Sequence, residues 1–166
     1  MRARPLAATL YIALTGIGIG IGAAPAATTV SCTVAAAGIA FGIYNPLNGN
    51  GDASTGGLTI ICSGRGSGST NVTGNVTWST GLSGSYATRT MKSGNNALNY
   101  NIFWDTTYSQ IMGDGSGGSF AGTTGSFRVT AGGTSTSTGT MYGFIPASQD
   151  VAPGSYTDMI TVTVTY

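Results

Sequence analysis

The chain contains no histidine and no glutamate, and only 7% of its 166 residues are charged. These absences remove much of ordinary enzyme chemistry. Serine and threonine are plentiful, but a hydroxyl nucleophile needs a base beside it, and histidine is missing. Acid–base work would rest on aspartates alone. Only Asp105 and Asp114 stand close enough in sequence to suggest a pair. Asp105 ends a β-prone run and Asp114 sits in a glycine loop, so both read as turn and strand-end residues. No window carries a sustained helical period, so little or no helix is expected. Cysteine is scarce too, with Cys32 and Cys62 alone.

What is present is glycine, serine, threonine and asparagine around short apolar runs. The start of the chain differs from the rest. Arg2 and Arg4 precede an apolar stretch over residues 6–21, and Ala24-Pro25-Ala26 supplies small residues for a peptidase. This is the pattern of a secretory signal peptide, cut after Ala26, which leaves residues 27–166 as one domain with no membrane span. The mature chain keeps Arg65, Arg89, Lys92 and Arg128 against five aspartates, a formal charge of −1. No basic patch remains to neutralise phosphates, which argues against nucleic acid and anionic membranes as partners. In an exported chain the even pair Cys32 and Cys62 reads as one disulfide, and neither has a histidine or acidic neighbour that would suggest catalysis or metal binding.

β-prone runs occur at residues 28–34, 39–44, 58–62, 71–79, 89–92, 98–105, 127–131 and 139–145, separated by glycine, proline, asparagine and serine. Gly74 sits inside the fourth as a candidate bulge. The last stretch is the clearest. From Tyr156 the residues alternate, with Tyr156, Asp158, Ile160, Val162, Val164 and Tyr166 on one side and Thr157, Met159, Thr161, Thr163 and Thr165 on the other. A side-chain period of two predicts one long strand with an apolar face and a threonine face. Together the runs indicate an all-β chain, an antiparallel immunoglobulin-like sandwich.

Other motifs are weak. Gly113-Asp114-Gly115-Ser116-Gly117-Gly118 looks like a phosphate cradle but has no following Lys-Ser or helix, and as a calcium loop it is far too short of ligands. Asn71-Val72-Thr73 and Asn75-Val76-Thr77 match the glycosylation sequon, as chance allows in such a composition. Trp78, Trp104 and the tyrosines could line a sugar site, although aromatics at alternating strand positions more often build core. No cofactor or metal is implied, and the chain does not read as an enzyme.

An ordered set of residues resembles a known family. Cys32 and Cys62 flank Ala40-Phe41-Gly42-Ile43-Tyr44. Arg89-Thr90-Met91-Lys92-Ser93-Gly94, the run from Leu98 to Asp105, and Gly113-Asp114-Gly115 follow. Tyr142-Gly143-Phe144-Ile145-Pro146, Gln149 and Gly154-Ser155-Tyr156-Thr157-Asp158 lead into the last strand. This set resembles the spore coat protein U domain family, the pilins of archaic chaperone–usher systems. The resemblance implies an incomplete sandwich lacking one strand, whose groove is filled first by a periplasmic chaperone and then by the N-terminal extension of a neighbouring pilin subunit, with an outer-membrane usher assembling the fibre on the cell surface. Ile160, Val162, Val164 and Tyr166 would then flank the groove. Cleavage after Ala26 would leave only residues 27–31 ahead of Cys32, too few to fill such a groove, so the expectation is an acceptor-only subunit at a fibre tip, facing a host or abiotic surface. Two alternatives are a non-polymerising spore-coat or biofilm-matrix protein and a carbohydrate-binding module using Trp104 or Tyr108.

Overall fold

The computed structural model describes residues 27–166; the expected signal peptide, residues 1–26, lies outside the described residues. Eight strands follow in order: β1 (Thr29–Ala37), β2 (Asp52–Arg65), β3 (Ser69–Trp78), β4 (Arg89–Ser93), β5 (Asn96–Phe103), β6 (Gly122–Thr130), β7 (Thr134–Ile145) and β8 (Val162–Thr165). A three-residue 3-10 turn at Gly81–Ser83 is the one helical element among the described residues. The strands form two antiparallel sheets, β1-β2-β7-β5-β4 and β6-β3-β8. The all-β expectation therefore holds.

The core is the apolar phase of these strands. Leu58, Ile60 and Cys62 of β2, Met141 and Ile145 of β7, Met91 of β4 and Leu98, Tyr100 and Ile102 of β5 come from the larger sheet. Val72, Val76 and Trp78 of β3 and Val129 of β6 face them, with Met112 from the connecting loop. Alternation of side chains along each strand puts these residues between the layers. Gly74 marks the expected bulge, where the β3–β6 register slips between Thr73 and Asn75 and its amide donates to the Thr124 hydroxyl at 2.7 Å.

Two β-prone runs behave differently from their sequence signal. Residues 39–44 form no strand. β1 ends at Ala37, opposite Gly57, and the chain then leaves the sheet edge and turns inward. Ile39 and Phe41 pack over Gly143, where a Cβ would lie 2.8 and 2.7 Å from them, and Ile39 also crowds Gly56. The missing side chains on β2 and β7 make the room. Residues 156–166, expected as one strand, change sheets midway. Thr157 pairs with Lys92 of β4 in the larger sheet, whereas Val162–Thr165 pair with β3 in the smaller one. The period-two exposure persists through the break, with Tyr156, Asp158, Ile160, Val162 and Val164 half-buried and their neighbours exposed.

A covalent bridge within the larger sheet and a buried cation between the two layers brace the fold. Cys32 and Cys62 lie opposite each other in β1 and β2, and their sulfurs are bonded, with Cα atoms 4.0 Å apart. Arg89 is fully buried. Its guanidinium donates to the Ser79 carbonyl from Nε (3.2 Å) and Nη2 (2.8 Å), to the Met112 carbonyl from Nη2 (2.8 Å) and to Asn101 Oδ1 from Nη1 (2.6 Å). Its charge lies 5.2 Å from the centre of the Tyr86 ring. Burial pushes its pKa below the ordinary arginine value, and the neighbouring Tyr100, Tyr86 and Asp158 partly oppose that shift. A buried cation is tolerable when its donors are satisfied, here by carbonyl and amide oxygens.

Two stability measurements follow. Closing a loop across a sequence separation of 30 constrains the unfolded chain, so Cys32→Ser should cost roughly 3–4 kcal/mol in a denaturant titration; unchanged stability would remove the bridge from the account. Arg89→Met would leave the Ser79 and Met112 carbonyls buried without donors, while Asn101 Oδ1 would keep the Ile102 N–H. At about 1–3 kcal/mol for each orphaned acceptor, the loss should exceed about 2 kcal/mol, and a loss below about 1 kcal/mol would show that water replaces the guanidinium freely.

Candidate functional site

An open trough runs along one side of the sandwich. One wall is β1 and its continuation through residues 38–46, and the other is the C-terminal segment from Val151 to Val162. Two adjoining cavities, of about 430 and 670 Å³, occupy it and share Ile39, Phe41, Met91 and Tyr156 in their lining. The floor of the smaller is Trp78, Tyr100, Ile102 and Met141, and the larger adds Leu98 and Ile145. These are core residues of both sheets, so the trough opens directly onto the interior.

The trough meets the free edges of both sheets at Ala36 of β1 and Val162 of β8. β1 and β8 each end a sheet, and among the described residues no strand pairs with their outer sides. The register shows which backbone groups point outward. Cys32 and Cys62 form a close pair, the non-hydrogen-bonded kind, so the Cys32 N–H and C=O face away from β2. The Cys32 N–H in fact donates to the Tyr166 hydroxyl at 2.9 Å. Val34 and Ala36 share that phase, and their outward backbone groups carry the same direction into the trough. Further on, the Ala40 carbonyl accepts the Ser54 hydroxyl at 2.7 Å, while Ile39, Phe41 and Ile43 make no backbone hydrogen bond among the described residues.

Side chains tell the same story. Val34 lies on the inward phase with Cys32, yet it is 41% exposed; Ile43, in the lining of the larger cavity, is 96% exposed. Inward-facing apolar groups stay wet only where a layer above them is missing.

The sheet switch that shapes the far wall is pinned by Asp158. Its carboxylate accepts the Leu82 N–H (2.8 Å), its neighbour Met159 N–H (2.7 Å) and the Tyr100 hydroxyl (2.7 Å). Burial raises the Tyr100 pKa well above the phenol range, and the hydrogen bond and charge of Asp158 add to it. Other joints use single side chains. The Gln149 amide accepts the Asn99 N–H and donates to the Asn99 carbonyl, both at 2.8 Å, replacing a strand partner. The Tyr44 hydroxyl donates to the Pro146 carbonyl (3.0 Å) and accepts the Gln149 N–H (2.8 Å).

The residues that the sequence pattern singles out fall in several places. Ile160 and Val162 line the smaller cavity. Val164 is half-buried behind them, and Tyr166 is 54% exposed with its hydroxyl on Cys32. Asp105 and Asp114 are each engaged within their own loops. Asp105 accepts hydrogen bonds from Thr107, Ser109 and Gln110, and Asp114 from Ser116. These bonds hold both carboxyls below their usual range, the pattern of turn aspartates rather than a paired acid and base. Among the described residues no cluster of three histidine, cysteine or acidic side chains exists. Trp104 turns inward, edge-on to Trp78 at 4.8 Å, and its indole N–H donates to the Phe120 carbonyl. Tyr108 stacks on Phe144 at 4.5 Å. The trough floor has no motif of its own in the sequence; its signal is the buried phase of residues 98–102, which reads there only as core.

The Tyr100–Asp158 contact carries a pH signature. A phenol whose pKa rises on folding keeps its proton longer in the native state than in the unfolded one. Stability is therefore full below the ordinary tyrosine value of 10.0 and falls as pH rises past it. Tyr100→Phe should make the stability profile above that pH flatter than that of the parent chain in denaturant titrations, with Tyr86, also raised, left to supply the remaining slope.

Comparison with curated protein sequences gives no match. Among solved structures, the chain is similar to a chain in the crystal structure of the CsuC–CsuE chaperone–tip adhesion subunit pre-assembly complex from the archaic chaperone–usher Csu pili of Acinetobacter baumannii. The TM-score is 0.56 at 22% identity, over 83% of this chain and 40% of that one. This chain thus spans well under half the length of that neighbour, and the likeness is one of fold. A family model described as the Spore Coat Protein U domain matches residues 21–163. On a match over most of its length, the chain belongs to the Spore Coat Protein U domain family.

Proposed function

We propose that this chain is a structural subunit of a chaperone–usher surface fibre, and that its trough accepts an inserted β-strand. The observation that carries this is the pair of unpaired strand edges, β1 and β8, on either side of an apolar floor. An extended peptide laid between them would bond to backbone on both sides and drop alternate side chains onto Trp78, Tyr100, Ile102 and Met141. Membership of the family and the likeness to a chaperone–adhesin complex support the reading. A periplasmic chaperone would supply the strand first and a neighbouring subunit would replace it, with an outer-membrane usher exporting the product to the cell surface. Ile160, Val162, Val164 and Tyr166 then form the flank that the strand meets.

The finer reading puts the subunit at the fibre tip, in contact with a surface, as an acceptor that gives no strand of its own. It rests on cleavage after Ala26, with residues 27–166 exported as one domain. The role proposed is architectural, with no substrate turned over.

Native mass spectrometry of the protein from the periplasm tests both levels. A chain beginning at Ala27, bound one-to-one to a larger chaperone, is the expected result. A stable free monomer would overturn the fibre reading, and a mature chain starting near Ala13 would overturn the tip position. Ala36→Pro refines the test. It removes an N–H that faces away from β2, so the fold should survive while strand capture weakens about fivefold.

A further inference from the structure

The gap between β1 and β8 is not open along its whole length. The Tyr166 side chain crosses it at one end, and its hydroxyl accepts the Cys32 N–H at 2.9 Å. That N–H faces away from β2, because Cys32 and Cys62 are a close pair. It is a group that an added strand would bond. The Tyr166 oxygen stands in for a carbonyl of such a strand. Neither trough cavity extends past Ala36 and Val162 toward this end. Beyond that level Cys32 and Val164 are half-buried and already packed against the core.

The two walls run in opposite directions, so their levels can be matched from the Tyr166–Cys32 contact. The smaller cavity is lined by Ala36 and Gly38 on one wall and by Val162 and Ile160 on the other. In steps of two residues, Val34 falls opposite Val164, Ala36 opposite Val162 and Gly38 opposite Ile160. The backbone of the far wall alternates as β1 does. The Ser79 N–H donates to the Thr161 carbonyl and the Thr161 N–H donates to the Ser79 hydroxyl, both at 2.9 Å, so Thr161 faces β3. Ile160, Val162 and Val164 then turn their N–H and C=O groups toward the gap, as Val34 and Ala36 do from β1.

We infer that Tyr166 closes this end of the trough and fixes the register of the strand that enters it. The strand ends level with Val34 and Val164 and leaves Cys32 to the phenol. A slip of one residue would turn every apolar side chain of the strand away from the floor, so pattern alone forbids it. A slide of two residues keeps the pattern, and pattern cannot forbid it. Tyr166 does, because a slide toward Cys32 must break its hydrogen bond and expel its ring. The inference rests on the strand-accepting reading above and names what sets the strand's position in that site.

The test uses the exported chain, labelled with ¹⁵N at cysteine and ¹³C at isoleucine methyls. Two nested series of synthetic peptides of alternating valine and threonine are titrated in, one lengthened by two residues at a time at its N-terminus and the other at its C-terminus. The Ile102 methyl reports whether the trough is filled, and the Cys32 amide reports whether its partner changes. Tyr166→Phe frees the Cys32 N–H with little change of shape, and Tyr166→Ala removes the ring as well. In one series, affinity for the parent chain should level off one step earlier than for either variant, with the parent's Cys32 amide unmoved. That further step should tighten binding to the variants about fivefold and shift their Cys32 amide, as a peptide carbonyl takes the freed N–H. Methyl shifts showing a filled trough, with the same length dependence for all three chains, would overturn the inference and leave the strand-accepting reading intact. No methyl shift with any peptide would overturn both.

Discussion

The sandwich depends on a cation that water never sees. Arg89 stands at the start of β4, yet its guanidinium reaches the end of β3 at Ser79, the side chain of Asn101 on β5 and the loop carbonyl of Met112. Those contacts tie an edge of the larger sheet to the smaller one at a place where no strand connects them. Asn101 extends the arrangement, because its amide nitrogen donates to the carbonyls of Tyr86 and Ala87 and so fixes the loop that crosses the end of the sandwich. Desolvating a guanidinium is costly, and this geometry makes the cost acceptable by giving its donors fixed acceptors.

A sandwich braced in this way can leave one side open. Asp158, Gln149 and Tyr44 hold the C-terminal segment and residues 38–46 apart, each by hydrogen bonds to backbone that a neighbouring strand would otherwise satisfy. Tyr166 joins β8 to β1 at one end of the gap. The result is a trough with a rigid polar frame and an apolar floor. Exposed apolar surface between two free sheet edges is ordinarily a hazard, since any strand can add there. In this family member it is the feature around which a function is proposed.

Much of this is legible from residue order. A β-prone run overlaps each of the seven strands β1–β7, falling several residues short of β2, β6 and β7, and the even cysteine pair matches the bonded Cys32 and Cys62. The two departures share a physical origin. Residues 39–44 are β-prone, but strand formation needs a partner edge, and the small Gly56 and Gly143 on β2 and β7 draw Ile39 and Phe41 into the interior instead. Residues 156–166 alternate faithfully, but alternation reports which side is buried, not which sheet provides the hydrogen bonds. The chain crosses from β4 to β3 without losing its phase.

The sequence alone determined the class of the fold, the oxidised cysteine pair and the absence of histidine-based chemistry, because these follow from local period and from residue types. It also marked Arg89, Gln149, Tyr44 and Asp158 within its resemblance to a family, without saying what each does. Only the tertiary structure decided that they are the joints of an open frame and that β1 and β8 face each other unpaired. Those properties depend on which backbone edges meet and which acceptors come within hydrogen-bond reach, and neither is written in the order of residues along one strand.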